Sequence, residues 1–487
     1  MDWSGTINWI LSIGFTMTII LTAVIIVLEN RNPSKTVTWL VVLYVLPIIG
    51  FVIYIFFGRN FRKKKRFKGK VKINQLDHTI EQVIETQNQV LKQKDTFLNE
   101  EYYSKKRLIN LLLQTNQAPF TLNNQAQVLT NADQKFAAVF AAIDQAKHHI
   151  HIEYFIIKDD EIGNTFRDRL LMKIKQGVQV RIIYDGAGSW RLDINGEYFK
   201  PLIDAGAEVH CFAPIRIHFL NSKINYRNHR KIIVVDGETG FVGGINIGDE
   251  YLGRSEKFGF WRDTHLQIKG DAVYFLQNIF IEDWHFITGQ YLKAECYFPP
   301  HCHVGNQLIQ IAASGPDSEW NSIMQLYYAT MASAEERIYI ISPYFIPDDS
   351  ILMALMTAAL SGLDVRIIIP NIPDHHIVFW ATQSYMADLL QAGVKVYQYK
   401  KGFVHAKVMM VDGVVASVGT ANMDIRSFQL NFEVNAFLYD KQIVARLEED
   451  FMKDIADSRL ITYEEYQERP FLNKVKESGA RLLSPLL

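Results

Sequence analysis

The 487-residue sequence predicts an α/β protein in which an N-terminal two-helix transmembrane hairpin precedes two repeated α/β domains packed as a pseudo-dimer. Three observations lead there. Two long uncharged runs lie near the N-terminus with a short polar connection between them. The second half of the chain repeats the first, block by block. Within each repeat, short β-rich apolar runs suited to strands covered on both faces alternate with helical stretches.

The hairpin comes first. Residues 7–28 (INWILSIGFTMTIILTAVIIVL) and 36–57 (TVTWLVVLYVLPIIGFVIYIFF) carry no charge. As helix, each run reaches about 33 Å, enough to cross a ~30 Å hydrocarbon core. Trp9 and Trp39 stand near segment ends, where indoles favour the interface. The first run lacks the basic start and small-residue cleavage site of a signal peptide. Residues 59–70 (RNFRKKKRFKGK) then hold eight Lys/Arg and no acid. By the positive-inside rule this flank, and the two repeats after it, are expected to face the cytoplasm. Arg59, Arg62, Lys63, Lys64, Lys65 and Arg66 are candidates for binding anionic lipid, unless the run only sets topology.

Charge separates the parts. Lys plus Arg number 51 and Asp plus Glu 52, a net charge of −1. Residues 1–58 balance and 59–70 carry +8, leaving −9 for residues 71–487. An acidic remainder disfavours a nucleic-acid partner. With 48% apolar and 21% charged residues the chain is not disordered, and three cysteines exclude a disulfide scaffold.

The expected domains are the hairpin (1–58), a basic collar and helical connector (59–130), a first repeat (131–300) and a second repeat with C-terminal helices (301–487). In the connector, IEQVIETQNQVLKQ reads as a surface helix and RLINLLLQ as a short amphipathic one. The repeats align at Tyr154 with Tyr344, Val180 with Val365 and Ala205 with Ala392, offsets of 190, 185 and 187. Their last block keeps one offset of 176: His229 with His405, Lys231 with Lys407, Asp236 with Asp412, Gly243 with Gly419 and Asn246 with Asn422. Self-similarity of this kind marks duplication. FAAVFAAIDQA and FRDRLLMKIKQG read as helices, as does IVARLEEDFMKDIADS with Ile443, Leu447, Phe451 and Ile455 on one core-facing stripe.

The chemistry sits in HRKIIVVD with GGIN, and HAKVMMVD with GTAN. On a strand, His229 and Lys231 share a face and Arg230 points away; His405 and Lys407 do likewise. A pseudo-twofold axis brings both pairs to one cleft. Two lysines and two asparagines offer donors to phosphoryl oxygens, one imidazole can attack phosphorus, and the other can protonate the leaving alkoxide. Asp263 (WRDTH) and Glu433 (NFEVN) are the carboxylates available to orient the imidazoles. The lysines neutralise the charge a metal would otherwise meet, so no metal or cofactor is expected.

These motifs resemble the phospholipase D superfamily with its duplicated HKD motif, over roughly residues 130–460. Within it, ENRNPSKTVTW, INYRNHRKI, GGINIGDEY, WRDTH, SPYFIPD and RLLSPLL look like bacterial cardiolipin synthases. The resemblance implies phospholipase D-like domains and a bacterial plasma-membrane enzyme. It implies transfer of a phosphatidyl group from one phosphatidylglycerol to another, giving cardiolipin and glycerol through a phosphatidyl-histidine. It also implies that His229, Lys231, Asp236, His405, Lys407 and Asp412 are catalytic, with His229 as nucleophile and His405 as acid/base. The motif aspartates read as braces for strand and loop. A phospholipase D or phosphatidylserine-synthase type enzyme, using water or serine as acceptor, shares the same residues. A homo-oligomer is compatible with all of this.

Other features have readings of their own. ECYFPPHCH groups Cys296, His301, Cys302 and His303 at a spacing that fits no common zinc pattern, and reads as a loop. DGAGS (185–189) is either a phosphate-binding loop or a turn after a strand. Asp374, His375 and His376, in the corresponding loop of the second half, read as a solvated turn or else as a substrate contact. Tyr154, Phe155, Tyr344 and Phe345 line strand ends as core or cleft wall. RLLSPLL either dips into the membrane interface or docks on the protein.

Overall fold

The structure, a computed structural model, describes residues 105–214 and 226–484 continuously, together with helical residues 33–45 and 83–89 and a few isolated positions before residue 51. Two compact units are distinguished: Met1–Gly69 with Ile217–Asn225, and Lys70–Arg216 with Tyr226–Leu487. In the first, helix Pro33–Val45 is described, with Trp39 and Leu43 buried. No helix among the described residues is long and apolar enough to cross a membrane. Most of the two runs at 7–28 and 36–57, and all of Arg59 to Lys70, lie outside the described residues.

The second unit holds two mixed sheets. The strands of the first half are β1 (Asn124–Thr130), β2 (His149–Tyr154), β3 (Gln179–Asp185), β4 (Glu208–Phe212), β5 (Lys231–Val235), β6 (Thr239–Gly243), β7 (Phe260–Arg262) and β8 (Thr264–Gly270). All but β7 form one sheet in the order β1-β8-β6-β5-β2-β3-β4. β1 begins ahead of the domain start expected at 131.

The second half contributes β9 (Leu308–Ser314), β10 (Arg337–Ile341), β11 (Phe345–Ile346), β12 (Asp364–Pro370), β13 (Lys395–Tyr399), β14 (Gly402–Val404), β15 (Val408–Val411), β16 (Val415–Gly419), β17 (Met423–Asp424), β18 (Glu433–Tyr439) and β19 (Ser458–Ile461). Its sheet runs β19-β13-β12-β10-β15-β16-β18-β9. Each sheet pairs three consecutive crossover strands in parallel, β2-β3-β4 and β10-β12-β13, and sets the motif strand antiparallel beside them.

Strand periodicity fills three cores. Ile232, Val234 and Val242 meet Val408, Met410 and Val418 in a core shared by both sheets. The alternate residues Ile233, Val235 and Phe241 face outward under helices Asn131–Gln145 and Glu161–Lys175. Met409, Val411 and Val415 do the same in the second half, where helix Lys106–Asn116 adds Leu108, Ile109, Leu112 and Leu113. The halves therefore meet sheet to sheet, and the leading ends of β5 and β15, where the motif histidines stand, open onto the same end.

The first offset needs correction. Asp236 N–H bonds His149 O and Asp412 N–H bonds Arg337 O, so β2 and β10 align at 188 rather than 190. Asp160 and Asp348, also 188 apart, cap equivalent helices by accepting from Gly163 N (3.1 Å) and Ile351 N (3.0 Å). Tyr154 thus matches Ser342, and Tyr344 occupies the place of Ile156. Repeated tyrosines suggested a register that the turn geometry does not support.

Candidate active site

Each motif histidine is reached by a strand segment of the opposite half. β14 pairs in parallel with β7, and His405 N–H bonds Arg262 O at 2.7 Å. In the mirrored position Asn228 bridges Phe432, and His229 N–H bonds Phe432 O at 2.9 Å. The next residues in the partner segments are Asp263 and Glu433. His229 Nδ1 accordingly lies 3.0 Å from both carboxylate oxygens of Glu433, and His405 Nδ1 lies 2.8 Å from Asp263 Oδ2. Each imidazole is held through Nδ1 by the other half, which leaves Nε2 for chemistry.

Both histidines border a cleft of about 540 Å³ that Asn246, Asn422, Tyr344 and Trp261 also line. Lys231 donates to His229 O (2.8 Å) and Lys407 to His405 O (2.6 Å), the latter with Nζ 3.1 Å from His405 Nε2. Arg230 turns away and pairs with buried Asp283. Asn246 Oδ1 accepts from Ile156 N, and Asn422 Nδ2 meets Ser427 Oγ at 3.3 Å.

Burial sets the electrostatics. It brings His229 down to about 4 against the opposing pull of Glu433, and Lys231 down to about 7. It lowers His405, aided by Lys407, and brings Lys407 itself to about 8. Burial works to raise the Glu433 carboxyl, yet His229, Lys231 and the Thr420 hydroxyl bring it below the ordinary value. Burial thus favours the neutral form of both imidazoles.

The motif aspartates lie at the far ends of their strands. Asp236 accepts from the backbone N–H of Lys147, His148 and His149 at 2.7, 2.8 and 2.9 Å. Asp412 accepts from Glu335, Glu336 and Arg337 at 3.0, 2.9 and 3.0 Å. Both take positive φ, 56° and 53°, which closes the turn against the preceding strand.

The ambiguous features separate. In DGAGS the Asp185 carboxylate already accepts from Ala187 N and Gly188 N, and also from Asn228 N. The loop is a turn that steadies the chain entering His229. His301 uses both ring nitrogens, on Asp271 and Gly237 O, and stacks on Tyr274. No group of His, Cys, Asp or Glu among the described residues has the geometry to hold a metal. Phe155 packs edge-on against His229, whereas Tyr154 and Phe345 are buried core. Asp374 accepts from the Tyr344 hydroxyl and lines the cleft beside His375, while His376 starts the next helix.

Sequence reasoning passed over Lys135, Arg227 and Arg426. The two arginines border the cleft. Lys135 is fully buried, with Nζ 3.4 Å from Asn246 O and over the rings of Phe136 and Tyr154, and it interacts electrostatically with Asp263. Its signal was available. On helix Asn131–Gln145 it falls in the buried stripe Ala132, Phe136, Val139 and Ile143, a position where an unpaired lysine is costly.

Comparison with known proteins identifies the family. The family model described as "Cardiolipin synthase, PLD-like domain" matches residues 139–284 and again 327–455, and one described as "Phospholipase D-nuclease N-terminal" matches 17–59. A cardiolipin synthase of Geobacillus kaustophilus is 47% identical over 487 residues, all of this chain and 95% of the relative. The major cardiolipin synthase of Bacillus subtilis is 47% identical over 98% of this chain and 99% of its own length. A crystal structure of Haemophilus influenzae phosphatidylserine synthase shares the fold at 15% identity and a TM-score of 0.58, covering 80% of this chain and 100% of that one. The duplicated domain, matched twice, and near-full-length identity to curated relatives place the chain in the cardiolipin synthase family of the phospholipase D superfamily.

Proposed function

We propose that the protein is a membrane-anchored phosphatidyltransferase that makes cardiolipin from two molecules of phosphatidylglycerol. The observation that carries the reading is the crossed pair: two imidazoles on one cleft, each held at Nδ1 by a carboxylate of the opposite half.

In the first step His229 Nε2 attacks phosphorus, the bond to the head-group glycerol breaks, and His405 delivers its Nε2 proton to the departing alkoxide. The phosphodiester anion between the rings favours the imidazolium that His405 needs, against the depression that burial imposes. In the second step His405, now neutral, takes the proton from the terminal hydroxyl of a second phosphatidylglycerol. That oxygen attacks phosphorus and the P–N bond breaks, returning both imidazoles to their starting states. Lys231, Lys407, Asn246 and Asn422 meet the non-bridging oxygens as charge builds. Glu433 and Asp263 fix the tautomers and stabilise each imidazolium as it forms. Asp236 and Asp412 brace the strands that carry the motif.

Anchoring by the hairpin, with the domains on the cytoplasmic side, is supported by the two uncharged runs, the basic flank and the family match over residues 17–59. Tethering keeps both lipid substrates at high local concentration, which favours a lipid alcohol over water as acceptor. The test incubates the purified chain with vesicles of phosphatidylglycerol labelled in the head-group glycerol. Cardiolipin and free labelled glycerol in equal amounts are expected; phosphatidic acid as the main product defeats the reading.

A further inference from the structure

The last helix, Phe471–Leu482, has an outer face that the other described residues leave exposed. Phe471, Leu472, Val475, Leu482 and Leu483 are 76, 70, 50, 77 and 41% exposed. Their spacing, with Gly479 between, puts them on one continuous stripe of a helix with 3.6 residues per turn. Large apolar side chains clustered this way on a soluble surface mark a binding face.

The opposite side of the helix explains how it is held. Ala480 and Glu477 are buried, and Glu477 takes Arg469 Nη2 at 2.7 Å and the Tyr466 hydroxyl at 3.1 Å. The helix packs on His376–Ser384. Its one acid is therefore turned inward. Lysines stand at the borders of the apolar stripe, Lys474 on one flank and Lys476 on the other, over the Trp380 ring, while Arg481 is held by Asp388 at 3.1 Å.

We propose that this helix lies in the surface of an anionic lipid bilayer with the Phe471, Leu472, Val475, Leu482 and Leu483 stripe inserted, and so sets the mouth of the catalytic cleft against the membrane. The inference rests on the lipid-transfer reading above. Charge is the first argument: an apolar stripe bordered by cations, with its acid withdrawn, is complementary to anionic head groups over an acyl layer. Length is the second. Twelve residues make about 18 Å of helix, too short to span and suited to lying in the plane. Position is the third. The helix beneath it, His376–Ser384, opens at the cleft wall: His375 and Val378 line the cleft, and Ile377 is exposed beside them. A bilayer that seats the outer helix meets the cleft rim at the same level, so a lipid head group need move little to reach His229 and His405.

The test uses the full chain reconstituted in vesicles of phosphatidylglycerol and phosphatidylcholine. A nitroxide is placed at Leu472→Cys or Leu482→Cys after replacing Cys211, Cys296 and Cys302 by serine. It is expected to collide several-fold more with oxygen than with an aqueous nickel chelate, while the same label at Gln145→Cys shows the reverse. A label open to the aqueous chelate overturns the proposal. So does a label reached by neither reagent, the signature of a face covered by a second copy. Depth is read whether or not cardiolipin forms, so a failure of the catalytic reading is seen separately. In addition, Leu472→Glu with Leu482→Glu is expected to cut cardiolipin formation on vesicles about tenfold and leave turnover of monomeric short-chain phosphatidylglycerol unchanged. An equal effect on both substrates, including none on either, overturns it.

Discussion

The two halves of the cleft are alike in backbone and different in how each carboxylate is supported. Glu433, which holds His229, accepts from Thr420 Oγ1 at 2.6 Å and Asn431 Nδ2 at 3.2 Å. Asp263, which holds His405, accepts instead from Thr264 N at 2.7 Å and has buried Lys135 nearby. The residue at the place of Thr420 is Gly244, and a Cβ there would stand 2.1 Å from Asp263 Oδ1. The shorter carboxylate thus occupies the space that a threonine side chain fills in the other half. The departure of Gly-Gly from Gly-Thr between the two copies is the means by which one duplicated motif presents two different dyads. Two imidazoles with separate tasks need such a difference.

The largest effect expected is the loss of either imidazole. His229→Ala and His405→Ala should each lower cardiolipin formation by ~10³-fold or more, the size of a lost nucleophile or general acid. Incubation with donor labelled in its phosphate should leave label on the His405→Ala protein and none on His229→Ala. The reverse pattern exchanges the two roles.

Next come the carboxylates. Glu433→Gln and Asp263→Asn keep the shape and remove the charge that fixes each imidazole, and should cost roughly 10²- to 10⁴-fold in kcat. Because each carboxylate belongs to the opposite half, Glu433→Gln should impair formation of the labelled intermediate and Asp263→Asn its proton transfers. If Glu433→Gln forms the intermediate at the wild-type rate, the crossed pairing has no catalytic meaning.

Proton inventory separates the lysines from the histidines. Lys231, brought to about 7 by burial, and Lys407, brought to about 8, must be charged to meet phosphate. Both lose their protons as pH rises, so kcat/KM should show a further decline from about pH 7, beyond the earlier loss of the His405 proton that burial brings to lower pH. Lys231→Arg, slower at neutral pH through its poorer fit, should move that decline upward, since guanidinium stays charged. An alkaline limb unmoved by this substitution would assign it to another group.

The motif aspartates should act on stability instead. Asp236→Asn and Asp412→Asn keep a residue that tolerates positive φ and weaken three charge-assisted bonds each, for about 1–3 kcal/mol in denaturant unfolding. Activity per folded molecule should stay within a few-fold of wild type, and a drop as large as that of the imidazole variants would put these groups in the chemistry.

Much of this site was open to reading from the chain. The constant offset of 176 identified His229, Lys231, Asp236 and their partners, because catalytic geometry tolerates no insertion between them. Asp263 and Glu433 stood out as the carboxylates available to orient the imidazoles, but no spacing tells which imidazole each one faces; that depends on β7 crossing to β14 and on Asn228 reaching Phe432. The register of β2 against β10 misled through a shared aromatic, Tyr154 and Tyr344, where the capping aspartates Asp160 and Asp348 carried the true alignment. Lys135 escaped notice because a lysine beside an apolar stripe reads as snorkelling unless its place in the stripe is counted.

The smallest effect expected bears most directly on the difference between the halves. Thr420→Val removes the hydroxyl that donates to Glu433 Oε2 and accepts from Val434 N at 2.9 Å, leaving a buried carboxylate short of one partner. About tenfold in kcat is expected, near the 1.4 kcal/mol of one such bond to a charged group, with KM little changed because the hydroxyl touches no substrate. Thr420→Ser, which keeps the hydroxyl, should restore most of it. The loss should appear in formation of the labelled intermediate and spare its transfer to the acceptor, since Asp263 and His405 have no counterpart of Thr420. A Thr420→Val enzyme slowed equally in both steps would mean that the two dyads share one supporting network, and that the Gly-Thr departure does not divide their roles.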